Sequence, residues 1–133
     1  MITGLYAAIL ALLYARISLK VIGARRRNRI SLGAGPQGEI SAIVSAHANF
    51  AAYVPLLLLL TYFLEVGGRT SPIILHVIAA AYTLGRILHY LAFRGPEMKF
   101  RLRVAGMQLT LWPLIVLAVL NAYGFVAAML TGG

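Results

Sequence analysis

Apolar residues run along this chain in four long stretches separated by shorter polar breaks. Residues 2–19 (ITGLYAAILALLYARISL) are apolar apart from Arg16 and a few hydroxyls, close to the roughly 20 residues a helix needs to cross a bilayer. A polar, basic stretch over 20–39 follows, punctuated by Gly33, Gly35, Pro36 and Gly38, and reads as the longest loop. A second span is predicted over 39–65. It holds a run of leucines at 56–60, and Pro55 removes a backbone donor in mid-helix, which predicts a kink. Residues 66–72 are turn chemistry, with Ser71 as N-cap and Pro72 at the first helical position. A third span over 72–93 ends at Arg94-Gly95-Pro96, and a basic segment through Arg103 leads to a fourth at 105–129. The pattern predicts an all-α integral membrane protein, a single domain over 1–133 folded as a four-transmembrane-helix bundle.

Composition strengthens that reading. Of the 133 residues, 61% are hydrophobic and only 11% charged, whereas a soluble domain has about 45–50% apolar and about 25% charged residues. There is no cysteine, so disulfide scaffolds, thiolate zinc sites and cysteine nucleophiles are excluded. Lys and Arg number 12 against three acidic residues, but these cations sit between apolar runs, so they point to membrane topology and not to a nucleic-acid partner. The positive cluster follows the first apolar stretch where a cleaved signal peptide would have it first, so that segment is expected to persist. Lys20, Arg25, Arg26, Arg27 and Arg29 fall in the first loop and Arg94, Lys99, Arg101 and Arg103 in the third, against Arg69 alone in the second. Because basic loops favour the cytoplasm, the first and third loops are expected there and both termini outside.

Arg16, His47, Asn49, His76, Arg86 and His89 fall inside predicted spans, where an unpaired charge costs at least about 2.5–3.5 kcal/mol. At about 100° per residue, Ser45, Asn49, Ala52 and Tyr53 share one face of the second span, and His47 points the other way. Tyr82, Arg86, His89, Tyr90 and Phe93 share a face of the third by the same arithmetic. The two stripes lie toward the same end, with Arg101 or Arg103 nearby, and such a positive lining suits an anionic ligand. The competing reading makes Arg86 and the histidines bundle glue, bonded to helix carbonyls. Three histidines on different faces do not compose a metal site, and there is no phosphate loop or paired carboxylate. Chemistry here is expected from a bound cosubstrate.

The stretch His47-Ala48-Asn49-Phe50-Ala51-Ala52-Tyr53-Val54-Pro55 resembles the N-x-x-E-Y-x-P signature of the membrane-associated proteins in eicosanoid and glutathione metabolism, the MAPEG family. Gly85-Arg86-Ile87-Leu88-His89-Tyr90, then Phe93 and Arg103-Val104-Ala105-Gly106-Met107, is similar to that family's third-helix G-R-x-x-H/Y motif and the start of its fourth helix. The H-x-N and G-R-x-x-H forms resemble the small bacterial inner-membrane branch. The resemblance implies a homotrimer with glutathione as cosubstrate between subunits, and a thiol transferred to a lipophilic electrophile or used to reduce a lipid peroxide. It matches Asn49 and Tyr53 to positions that contact glutathione and Arg86 and His89 to the polar face of the third helix, and gives Arg103, with Arg101 as the alternative, the catalytic role of holding the sulfur as thiolate; Tyr90 and Arg101 join the expected glutathione lining from the stripe. A thiol of pKa about 8.5 is mostly protonated at neutral pH, and an adjacent cation favours the nucleophilic form. Two positions depart from the pattern. Ala52 stands where the motif has Glu, and Ser45 where Arg is common; each lost charge-assisted contact typically costs about 1.5–3 kcal/mol. An alternative built on those departures is a non-catalytic trimer that binds an anionic lipid or amphiphile in the same cleft.

Overall fold

The computed structural model describes residues 1–33, 38–68, 70–94 and 97–131. The chain is all-helical among them, in the order α1 (Ile2–Asn28), α2 (Glu39–Gly67), α3 (Pro72–Ala92) and α4 (Phe100–Thr131). All four are long and apolar enough to cross a membrane. The loop punctuation at Gly35 and Pro36, the lone Arg69 and the Gly95-Pro96 stop lie outside the described residues.

Two boundaries differ by more than two residues from those predicted. α1 continues to Asn28 where position 19 was expected, and α4 begins at Phe100 where 105 was expected. In both places the prediction took charge for loop. Arg, Ala and Lys are good helix formers, so a helix carries on past the hydrocarbon once it has nucleated. At about 1.5 Å per residue the 27 residues of α1 reach about 40 Å, against a hydrocarbon core of about 30 Å. Its basic last turn therefore extends into the headgroup region, and the chain leaves it at Arg29 in the left-handed conformation (φ 53°), whose N–H reaches back to the carbonyls of Arg25 and Arg26. α2 runs as one helix through Pro55 and α4 through Pro113. Ser71 occupies the N-cap of α3 and Pro72 its first turn, although the Ser71 hydroxyl makes no capping bond.

α3 is the central helix. It packs most extensively on α4 and also touches α1 and α2; α1 pairs with α2, and α1 and α4 do not meet. Leu10 and Ile17 of α1, Phe50, Val54, Leu57 and Leu64 of α2, Leu75 and Tyr82 of α3 and Leu117 of α4 make the shared core. The outside is as apolar as the inside, with Ile73 74% exposed and Trp112 65% exposed, as expected where lipid is the solvent. α3 and α4 approach closest at Gly85 and Gly106. A Cβ on Gly85 would lie 2.9 Å from the Gly106 carbonyl oxygen, and one on Gly106 2.7 Å from that of Gly85, the small-residue contact that lets helix backbones meet in lipid.

The end away from the basic segments has its own polar fastening. The Glu65 carboxylate, at the end of α2, accepts from the backbone N–H groups of Ile2 and Thr3. It thereby satisfies orphan donors at the α1 N-terminus with a charge that complements the helix dipole. Asn121 of α4 donates to the Leu60 carbonyl of α2 at 3.0 Å, so these helices run parallel with their C-terminal halves side by side.

Candidate functional site

Arg86 is the organising residue. It sits nearly two turns before the end of α3 and is 1% exposed. Its Nη1 donates to Asn49 Oδ1 of α2 at 2.9 Å and its Nη2 to the Gly106 carbonyl of α4 at 3.2 Å, with Met107 Sδ at 3.6 Å. The guanidinium lies 5.8 Å from the centre of the Tyr53 ring, within cation–π range. One side chain thus ties three helices together, and the Gly85–Gly106 contact brings the Gly106 oxygen within its reach. The glue and cleft readings of Arg86 meet here. It does bond a helix carbonyl, and it also positions Asn49, whose amide N–H groups remain available as donors.

The electrostatics of this cluster are one-sided. Arg86 Nε is buried with no hydrogen-bond partner, and no carboxylate is among the groups that its nitrogens bond. A cation buried without an anion is costly in lipid, and the arrangement favours a negatively charged occupant nearby.

His89 and Phe93 continue the α3 stripe toward the basic end. His89 is buried, its ring 5.1 Å from that of Phe93, and its charged neighbours are Arg86 and Arg103. Arg103 is exposed in the first turn of α4, with its guanidinium 6.0 Å from the Phe93 ring and Nη1 3.6 Å from Met98 Sδ. Arg101 is exposed in the same turn. The fold therefore gathers Asn49, Tyr53 and Arg86 tightly and sets His89, Phe93 and Arg103 beside them. Tyr90 is not brought to this group: it turns to α1, where Lys20 Nζ stands 5.0 Å over its ring.

Ser45 and Ala52, where the family pattern has charges, are exposed on α2. His47 takes the opposite side of α2, as its spacing predicts, with Nε2 3.0 Å from Ser18 Oγ and its ring stacked 4.8 Å from Tyr14. His76 lies at the far end, 3.3 Å from the Tyr6 hydroxyl. Both serve helix contacts away from Arg86. Gly106 was visible only as part of a motif, and nothing in its spacing indicated that its carbonyl receives the buried guanidinium.

Comparison with known proteins agrees with the geometry. The sequence model described as the MAPEG family matches residues 3–123. The chain is 29% identical over 123 residues, 92% of either chain, to the inner membrane protein YecN of Escherichia coli strain K12, and equally to its counterpart in E. coli O6:H1.

Proposed function

In a chain that belongs to the MAPEG family, we propose that the cleft built on Asn49, Tyr53 and Arg86 binds glutathione and presents its sulfur to lipophilic electrophiles or peroxides dissolved in an inner membrane. The observation that carries this reading is Arg86, a buried guanidinium with an unused Nε and no carboxylate partner among the described residues. Its field and the Asn49 amide suit the carboxylates of a small peptide. Arg103, close enough to share Phe93 with His89, is the cation that would hold the sulfur as thiolate. In conjugation the thiolate attacks the electrophilic carbon, the carbon–sulfur bond forms, and the leaving group departs with its electron pair. Lowering the thiol pKa by one unit takes about 1.4 kcal/mol of differential stabilisation, within reach of one cation in a partly dry site.

The ammonium of glutathione has no counterpart at Ala52, so its partner must come from elsewhere. A homotrimer answers this, because Ser45 and Ala52 lie on an exposed strip of α2 beside Asn49, where a neighbouring subunit is able to complete the cleft. The same two uncharged positions favour the second reading, a non-catalytic site for an anionic amphiphile.

Calorimetric titration of glutathione into the detergent-purified protein decides between them. Glutathione binding is expected to saturate, and Asn49→Ala to weaken it about tenfold or more, the equivalent of one charge-assisted contact. No heat at millimolar glutathione, with an anionic amphiphile bound instead, would reject the transferase reading.

A further inference from the structure

A second basic pocket lies along α1, at the C-terminal end of α3. Arg16, Lys20 and Arg27 of α1 and Arg94 beyond α3 line it, with Ile43 and Phe93 as its apolar wall and a volume of about 420 Å³. Residues 16, 20, 23 and 27 repeat at i, i+4, i+7 and i+11 and so form one stripe along α1. At about 1.5 Å per residue that stripe runs about 16 Å, from within the spanning part of α1 to its basic end.

Three features set this pocket apart from cations that only orient a loop. Arg16 belongs to a membrane-spanning helix, where a charge needs a partner or water, and the pocket's described lining contains no carboxylate. Gly23 leaves a recess in the α1 wall beside the exposed Arg27; a Cβ there would stand 3.5 Å from Arg27 Nη1. The third feature is Tyr90, 7% exposed, which sits under Lys20 with Arg16 and Lys20 as its charged neighbours. Its hydroxyl is buried with the Lys20 and Arg16 side chains as its polar neighbours, so it steadies those two cations from behind the pocket wall.

We propose that this pocket binds the phosphate of an anionic phospholipid headgroup. Four cations lining one pocket, three of them guanidinium groups, match phosphate chemistry. Basic pockets between spanning helices are a known way of holding such headgroups. The apolar wall at Ile43 and Phe93 continues down α1 past Leu19, which gives the glycerol and the first acyl carbons a surface to lie on. The pocket meets the Arg86 cleft at Phe93, which also touches His89 and Arg103, but Arg86, Asn49 and Tyr53 do not line it.

The test uses the full chain in phosphatidylcholine nanodiscs, with phosphatidylglycerol titrated in and bound lipid counted by native mass spectrometry. Arg16→Gln with Lys20→Gln is expected to weaken phosphatidylglycerol about thirtyfold, two charges at about fivefold each. Gly23→Leu keeps every charge and improves helix propensity but fills the recess, and it is expected to lose binding as well. Arg26→Gln with Arg29→Gln removes equal charge from residues that do not line the pocket and should weaken binding clearly less, since these two contribute by screened long-range attraction alone. Equal loss from the Arg26/Arg29 pair, undiminished binding in Gly23→Leu, or no preference for phosphatidylglycerol over phosphatidylcholine would each overturn the proposal. Inorganic phosphate is the probe for the other source. If it fails to displace the lipid, the lipid headgroup is supported as the occupant; if it displaces the lipid at millimolar concentration, that source is overturned in favour of free phosphate.

Discussion

Gly106→Ala should loosen the bundle and the candidate cleft together. A methyl group on Gly106 would lie 2.7 Å from the Gly85 oxygen and from the His89 nitrogen, and 2.9 Å from His89 Cβ. The two closest are backbone atoms that cannot rotate away, so α3 and α4 must separate. Moving from 2.7 Å to the ordinary 3.4 Å contact takes a shift of about 0.7 Å. Overpacking of this kind costs about 1–3 kcal/mol. The same shift stretches the 3.2 Å bond from Arg86 Nη2 to the Gly106 carbonyl, and polar contacts between spanning helices are worth about 0.6–1.7 kcal/mol. The expected destabilisation is therefore about 2–5 kcal/mol. Unfolding by sodium dodecyl sulfate measures it, followed by helical circular dichroism and by Trp112, the sole tryptophan, which lies on α4. Gly67→Ala is the control: that glycine ends α2 with nothing within 4 Å of an added Cβ, and the change should be neutral or stabilising by up to about 1 kcal/mol. If Gly106→Ala unfolds at the wild-type detergent fraction, or Gly67→Ala is equally damaging, the close helix approach is not what holds Arg86.

Other consequences are as specific. A double-mutant cycle on Asn49→Ala and Arg86→Gln should return a coupling of about 0.6–1.7 kcal/mol in the same unfolding assay; additivity would mean that the 2.9 Å bond contributes nothing. Glu65→Gln removes the charge that caps α1 and should cost about 0.5–2 kcal/mol, read as faster amide exchange at Ile2 and Thr3 with the basic end unaffected. Ser18→Ala should cost no more than about 1 kcal/mol and leave glutathione binding unchanged, since His47 faces α1 and takes no part in the cleft.

Four helices were legible because lipid imposes a length and a composition on anything that crosses it, and the runs at 2–19, 39–65, 72–93 and 105–129 satisfy both. Helix ends were less legible, since hydropathy marks where the bilayer stops and the backbone of α1 carries on to Asn28. The Asn49 and Arg86 stripes were readable from helical period, and so was the opposite heading of His47. Tyr90 shows the limit of that arithmetic. It lies i+4 from Arg86, but α3 touches all three other helices, so a small turn around it carries a side chain from the α2–α4 side to α1 and Lys20. Glu65 stands at the end of the predicted second span, where its charge is tolerated with or without a partner, so hydropathy alone does not reveal that it meets the α1 N-terminus.

The central claim is that the Arg86 cleft holds glutathione with Arg103 drawing its sulfur into the thiolate form. Ultraviolet absorbance of the thiolate, recorded across a pH series on the purified protein with saturating glutathione, tests both halves at once. The account predicts a thiolate signal appearing at least one pH unit below that of free glutathione, whose thiol titrates at about 8.5, and its disappearance in Arg103→Ala with binding retained. A bound glutathione that titrates like the free thiol, or a signal that survives in Arg103→Ala, would contradict it.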